Sequence, residues 1–156
     1  MTEDFEFKKA AYNHPDFHLL ISELDKEFWV RYPLTQQNFE PFNKVDESCR
    51  VVLVYHNEKP IGCGCFRPKP EGTVEIKRMY VQPAFRNRGI AKKVLKSLEE
   101  WALSEGFARS ILETGDNQPE AIAAYRKSGY QTIPNFPPYE HVKESICMEK
   151  ILKPVV

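Results

Sequence analysis

The sequence predicts a mixed α/β domain, and three features of its hydrophobic pattern support this fold class. Three apolar, β-branched segments at 51–55, 60–67 and 73–81 are joined by short turns, which predicts an antiparallel meander. A periodic helical segment at 89–105 follows the third strand directly, and its predicted apolar stripe comprises Ile90, Val94, Leu95, Leu98, Trp101 and Ala102. An apolar strand at 110–114 then completes a strand-helix-strand unit, whose two strands are expected to be parallel. The length of 156 residues suits one domain spanning 1–156.

The chain begins with a predicted strand and an amphipathic helix. Apolar and polar residues alternate at the start of segment 5–10, as in a half-buried strand. Asn13 and Asp16 flank Pro15 and mark a helix start, and the helical pattern continues to about Val30. Its apolar positions predict a core-facing stripe, which comprises Phe17, Leu20, Ile21, Leu24 and Phe28.

The segments on either side of the central unit are less uniform. Between residues 31 and 47 the helical pattern stops, and one short helix is expected to begin at Thr35. After the 110–114 strand, Asn117 and Pro119 begin another helix that ends at Gly129. Strands at 130–133 and 145–151 then close the sheet, with a proline-rich loop between them.

Composition and cysteine spacing restrict the functions that this chain can have. With 22 acidic and 22 basic residues, it has no net field to attract nucleic acid or a membrane surface, so a small partner is expected. No segment approaches the roughly 20 apolar residues of a membrane span, and a reducing, cytoplasmic location fits. The four cysteines lack the usual spacing of a zinc site, so no metal is expected, and Cys63 and Cys65 are interpreted as buried thiols.

The stretch 74–91 resembles an anion site, because a strand, a tight turn and a helix start follow one another there. Unpaired N–H groups and the helix dipole attract phosphate at such an end, and Gly89 allows close approach. The cations Arg86, Arg88, Lys92 and Lys93 cluster at the same end. They oppose the dipole preference, so their presence suggests a polyanionic ligand. A solvated basic turn is the alternative.

The pattern Arg86-x-x-Gly89-x-Ala91, directly after a strand that ends Met-Tyr-Val, resembles the acetyl-CoA signature of the GNAT superfamily of N-acyltransferases. Further resemblance lies in segments 112–115, 118–125, 129–130 and 145–150, so that it covers roughly residues 50–152. It implies a GNAT-type fold: a central mixed, largely antiparallel sheet of six to seven strands, with a splayed parallel pair and about four helices.

The resemblance also implies a cofactor site on these residues. Backbone groups near the end of the splayed strand would pair with the pantetheine arm, and the turn and helix start would hold the pyrophosphate. The positions that match are Met79, Tyr80, Val81, Arg86, Asn87, Arg88, Gly89, Ile90, Ala91, Lys92 and Asn117. Acetyl-CoA is thus the expected cosubstrate.

Three residues are candidates for the chemistry. Glu75 matches the base glutamate of several family members, and Glu113, at the end of the neighbouring strand, is the alternative base. Glu75 also has a simpler explanation as the partner of a nearby lysine or arginine. Tyr125 matches the tyrosine that protonates the coenzyme A thiolate in many members, and its alternative is an ordinary core tyrosine.

The expected function is N-acetyl transfer from acetyl-CoA to a primary amine of a small molecule, by direct attack in a ternary complex. A non-catalytic acyl-CoA-binding sensor or regulatory module is the alternative. Generic nucleotide binding is disfavoured because neither a Walker pattern nor Gly-x-Gly-x-x-Gly is present. Acceptor determinants are expected in segments 32–42 and 134–142, where Tyr32, Phe39 and Phe42 either line the pocket or pack under a loop. A homodimer is left open.

Overall fold

A computed structural model describes residues 4–31 and 44–152 of the protein. The strands are β1 (Glu6–Ala10), β2 (Arg50–His56), β3 (Lys59–Lys69), β4 (Thr73–Val81), β5 (Arg109–Gly115), β6 (Gln131–Ile133) and β7 (Ser145–Ile151). The helices are α1 (Pro15–Arg31), α2 (Ile90–Ser104) and α3 (Pro119–Lys127), with a 3₁₀ turn at Pro83–Phe85.

The seven strands form one mixed sheet in the order β1-β2-β3-β4-β5-β7-β6. β4 and β5 are parallel, and the other neighbours are antiparallel. The predicted meander and parallel pair are therefore confirmed. The described residues contain three α-helices where about four were expected, and the short helix expected from Thr35 lies outside them.

β4 and β5 separate along their length. They pair only where residues 73–76 face residues 109–112, although β4 continues to Val81 and β5 to Gly115. β5 stays paired with β7 up to Gly115, and β4 stays paired with β3 up to Val81, so the pairing is lost only between β4 and β5. The sheet therefore has a gap between the C-terminal ends of its two parallel strands.

A β-bulge at Arg78 divides β4 into two halves. Cys65 pairs with Lys77 and Cys63 pairs with Tyr80, so β4 contains one more residue than β3 between these two pairs. Arg78 has a φ of 58°, which is unusual for a residue with a side chain. Its guanidinium Nη2 contacts Asp25 Oδ1 of α1 at 2.6 Å and the Ile21 carbonyl at 3.2 Å. These contacts with α1 hold the bulge in place.

The core has one hydrophobic cluster on each face of the sheet. The α2 stripe packs on one face, and the buried α1 residues pack on the other beside Cys63, Cys65 and Tyr80. Both predicted helical stripes are thus confirmed, although Phe28 is only partly buried. Cys63 and Cys65 are free, buried thiols, as predicted. Within the ranges 4–31 and 44–152, each helix is too short or too polar for a membrane crossing.

Candidate active site

Two adjoining cavities lie at the gap between β4 and β5. The long cavity follows the end of β4, the turn after it and the start of α2. The acidic cavity contains Glu75 and Glu113, together with Lys77 and Tyr139. Both cavities are lined by Leu24, Phe28, Met79, Gln118, Ala121 and Tyr125. A ligand that fills the long cavity can therefore reach the acidic one.

The long cavity ends at the N-terminus of α2, where the backbone is suited to an anion. Gly89 has φ 77° and ψ 12°, and no side chain caps the helix there. The first turn of α2 contains no acidic residue, and its residues Ile90, Ala91 and Lys92 line the cavity, as do Glu27 and Glu120 from α1 and α3. No atom of the described residues lies within 4 Å of the position that a Cβ of Gly89 would take, which leaves room for a bulky anion. The donors present fit a diphosphate.

Most of the residues predicted to bind the cofactor line this cavity. They are Met79, Tyr80, Val81, Arg86, Asn87, Gly89, Ile90, Ala91 and Lys92. Arg88 lies beside them but contacts the ring of Phe85, with its guanidinium carbon 5.5 Å from the ring centroid. Asn117 precedes Gln118, which reaches both cavities. The structure thus brings nine of the eleven predicted residues together in one cavity, whereas Arg88 and Asn117 do not line it. The binding roles of all eleven stay predictions.

Arg86 braces the turn that connects β4 to α2. Its Nε donates to the Val81 carbonyl at 2.7 Å, and its Nη2 contacts Glu27 Oε1 of α1 at 2.6 Å. The guanidinium carbon also lies 5.6 Å from the centroid of the Tyr80 ring. Arg86 therefore fixes the turn geometry, and its positive charge at the cavity wall is paired with the carboxylate of Glu27.

Tyr125 lies where the two cavities meet. Its ring packs edge-on against Tyr130, with 6.0 Å between the ring centroids, and the Tyr130 N–H donates to its carbonyl. No hydrogen bond to its hydroxyl is formed within the part of the chain that the structure describes. Burial, with a smaller contribution from the charge of Glu113, raises the pKa of the Tyr125 phenol. The hydroxyl therefore remains protonated and is able to donate.

Glu75 is buried in a cluster of charged and polar groups. Its carboxylate lies 3.4 Å from Lys77 Nζ and 3.7 Å from Lys69 Nζ, and it accepts a 3.4 Å hydrogen bond from the Tyr139 hydroxyl. The lysine pairing that the sequence left open for Glu75 is therefore present. Glu75 is therefore already engaged by its neighbours.

Glu113 lies on the same face of the sheet but has a different environment. Burial raises the pKa of its carboxyl to about 7, and the charge of Glu75 adds to this shift. A 2.7 Å hydrogen bond from Ser145 Oγ and the charge of Lys77 act in the opposite direction. Glu113 can therefore exchange a proton near neutral pH, which is the property required of a general base.

Comparison with known proteins places this chain in a family. The model of the acetyltransferase (GNAT) family matches residues 12–130. The chain is 33% identical over 135 residues to an "IAA acetyltransferase" of Azospirillum brasilense, with 85% of this chain and 88% of the relative covered. The chain belongs to the GNAT acetyltransferase family.

Solved structures agree with the GNAT assignment. A Klebsiella pneumoniae protein assigned as an acyl-CoA N-acyltransferase has a TM-score of 0.81 and 29% identity, with 96% of this chain and 98% of that chain covered. A GNAT acetyltransferase from Elizabethkingia anophelis, with acetyl-CoA bound, has a TM-score of 0.70 at 18% identity and covers 96% of this chain and 99% of its own. The second likeness concerns the fold alone.

Several residues of this GNAT site were not singled out from the sequence. Lys77 is two residues from Glu75, and strand alternation alone would have placed both on one face. Tyr139 lies in the 134–142 segment, where acceptor determinants were expected, but nothing periodic distinguishes it there. Tyr32, Phe39 and Phe42, the other expected acceptor residues, lie outside the described residues.

Proposed function

We propose that this GNAT protein transfers the acetyl group of acetyl-CoA to a primary amine of a small molecule, by direct attack in a ternary complex. One observation carries the proposal: the gap between β4 and β5 connects a helix N-terminus suited to diphosphate with a buried carboxyl, Glu113, that titrates near neutral pH. Tyr125 lines both parts of this connection.

The long cavity would hold the coenzyme. The α2 N-terminus and Lys92 suit the pyrophosphate, and the edge of β4 beyond Ile76, which β5 leaves unpaired, suits an extended pantetheine arm. The structure with bound acetyl-CoA belongs to a protein with the same fold, which supports this choice of cosubstrate. The thioester would then lie close to Tyr125 and the acidic cavity.

The reaction removes two protons from the nitrogen and delivers one to the sulfur. An alkylammonium with a pKa near ~10.4 must first lose a proton, and Glu113 accepts it directly or through water. The free amine nitrogen then attacks the thioester carbonyl carbon, and the C–S bond breaks. The Tyr125 hydroxyl donates its proton to the departing thiolate and regains one from the nitrogen. The products are an amide, a thiol and one proton, which Glu113 returns to solvent.

Of the two glutamates, Glu113 is the better base. Glu75 is held by Lys77 and Lys69, so its negative charge is already engaged. Glu113 has only the serine hydrogen bond and a weaker opposing charge, and its pKa is close to working pH. Glu75 is better placed to fix the electrostatics of the acidic cavity, and we assign it that supporting role.

The proposal is tested by incubating the purified protein with acetyl-CoA and a panel of primary amines. Free thiol release and the mass of the acetylated product should rise together for at least one amine. Tyr125→Phe should slow the same reaction and retain coenzyme A affinity in calorimetry. If the protein binds coenzyme A but acetylates nothing in a broad panel, the alternative of a non-catalytic sensor replaces the proposal.

A further inference from the structure

The carboxylate of Glu75 in the acidic cavity is surrounded by positive charge. The single carboxylate of Glu75 faces two ammonium groups, Lys77 Nζ at 3.4 Å and Lys69 Nζ at 3.7 Å. The Lys77 side chain is only 5% exposed and lines the cavity, whereas the Lys69 side chain is 33% exposed and lies off its wall. One buried carboxylate is therefore paired with one buried and one peripheral cation.

The Lys77 ammonium has an unused hydrogen-bond donor. Its contacts in the described part of the chain are Glu75 Oε2 at 3.4 Å and the Tyr139 hydroxyl at 3.3 Å, both longer than a typical charged hydrogen bond. An ammonium has three donors, so at least one is left for a ligand. A buried ammonium that is incompletely bonded is costly unless an anion completes its shell.

Arg78 adds a second buried cation to the same wall. Its Nη2 is bonded to Asp25, but Nε and Nη1 have no hydrogen-bond partner among residues 4–31 and 44–152. On the anionic side, Asp25 neutralises Arg78, Glu75 is engaged by lysines, and Glu113 carries its charge only part of the time at neutral pH. The cavity therefore has little surplus negative charge to attract a polycationic acceptor, and the unused donors of Lys77 and Arg78 suit an acceptor that brings a carboxylate.

The remaining wall of the acidic cavity has an apolar part, beside the polar residues Thr114 and Gln118. Leu24 and Phe28 of α1 face Met79 and Ala121 across it. An acceptor with an apolar or aromatic body would bury that surface. Lys77 and Glu113 lie on one face of the sheet, so a cation and a proton acceptor are presented to the ligand together.

We propose that the acceptor is an α-amino acid with an apolar or aromatic side chain, and that Lys77 binds its carboxylate. In such a molecule the amine and the carboxylate are attached to one carbon, which matches the placement of Glu113 and Lys77 on one wall of the acidic cavity. This inference rests on the proposed N-acetyl transfer and narrows it to one substrate class. It assigns Lys77 to specificity and leaves acid-base chemistry to Glu113 and Tyr125.

The test uses acetylated products as inhibitors, because an acetylated product has no titrating amine to complicate the comparison. N-acetylphenylalanine and N-acetylphenethylamine differ only in the carboxylate, as do N-acetylleucine and N-acetylisoamylamine. Against the wild-type enzyme, with turnover followed by thiol release, the carboxylates should inhibit roughly tenfold or more better than their uncharged partners. Lys77→Met should abolish most of that preference, because methionine preserves the length of the chain without the charge.

Lys69→Met is the matched control, because Lys69 faces the same carboxylate but does not line the cavity. Its inhibition ratio should match the wild type. Equal inhibition by carboxylates and uncharged compounds, or no inhibition by either, overturns the acceptor class. A full preference in folded Lys77→Met overturns the role of Lys77. If Lys77→Met does not fold, the preference for carboxylate inhibitors is compared between the wild type and Lys77→Gln instead, and the same outcomes apply.

The failure of this inference is distinguishable from the failure of the proposed function. Thiol release with phenethylamine at the same kcat/KM as with phenylalanine sustains acetyl transfer and overturns the amino acid acceptor. Absence of thiol release with every amine and amino acid overturns both.

Discussion

Replacing Glu113 by glutamine removes a buried carboxyl group and leaves the shape of its site nearly intact. The glutamine oxygen can still accept the hydrogen bond that Ser145 Oγ donates at 2.7 Å. What disappears is the titration of a group whose pKa the protein raises from its ordinary value of 4.5 to about 7. The variant therefore isolates one ionisation, in stability and in catalysis.

The expected effect on stability follows from linkage. Because the folded-state pKa of Glu113 lies above its unfolded value, folded protein binds the proton more tightly, and this advantage is lost as pH rises from about 4.5 to about 7. A shift of this size corresponds to roughly 3 kcal/mol. Relative to Glu113→Gln, the wild type should lose about that much free energy of unfolding between pH 4 and pH 8, and little beyond.

Urea unfolding followed by circular dichroism at several pH values measures this difference, because the other titrating groups cancel between the two proteins. Glu140→Gln, an exposed carboxylate in the loop before β7, is the matched control and should show no such trend. In parallel, the wild-type kcat/KM should rise through a step near pH 7 that Glu113→Gln lacks. Parallel pH profiles of stability for wild type and Glu113→Gln would refute the raised pKa. A step that persists in the variant would refute the base assignment.

Three further substitutions test the rest of the site. Gly89→Val should abolish coenzyme A binding in calorimetry. The control Gly106→Val, with a similar positive φ at the other end of α2, should lower stability and leave coenzyme A affinity unchanged. If both variants bind coenzyme A as tightly as the wild type, the assignment of the anion site is wrong. Tyr125→Phe should lower kcat by roughly 10²-fold with an unchanged melting temperature, and a wild-type rate would leave it a core residue. Glu75→Gln should lower the free energy of unfolding by about 3 kcal/mol in urea titrations, because it leaves the buried ammonium of Lys77 without its carboxylate partner. The double variant Glu75→Gln/Lys77→Met should recover most of that loss.

The order of elements was accessible from the sequence because it depends on local pattern. The stripe of α2 repeats at helical spacing, and its members Val94 and Leu98 are fully buried. The turn before α2 was located by Gly89, which adopts the positive φ that glycine favours. The parallel relation of β4 and β5 followed from the helix between them.

Other features depend on contacts between distant segments and leave no local signal. The bulge at Arg78 places an arginine at positive φ, and the Asp25 partner that holds it lies 53 residues away. Tyr139 reaches Glu75 from a proline-rich loop, 64 residues along the chain. The preference for Glu113 over Glu75 arises from burial and neighbouring charges, which only the assembled sheet defines.

The bulge at Arg78 also separates two tasks along a single strand. Before it, β4 pairs with β5 as far as Ile76 and presents Glu75 and Lys77; after it, the side-chain alternation is reset, and the strand pairs with β3 alone as it approaches the turn at Arg86. The extra residue thus separates the half of β4 that lines the acidic cavity from the half that lines the long cavity. Under the proposed function, we expect substitutions in the first half to change the choice of acceptor and substitutions in the second half to change coenzyme binding. The two properties can then be altered separately.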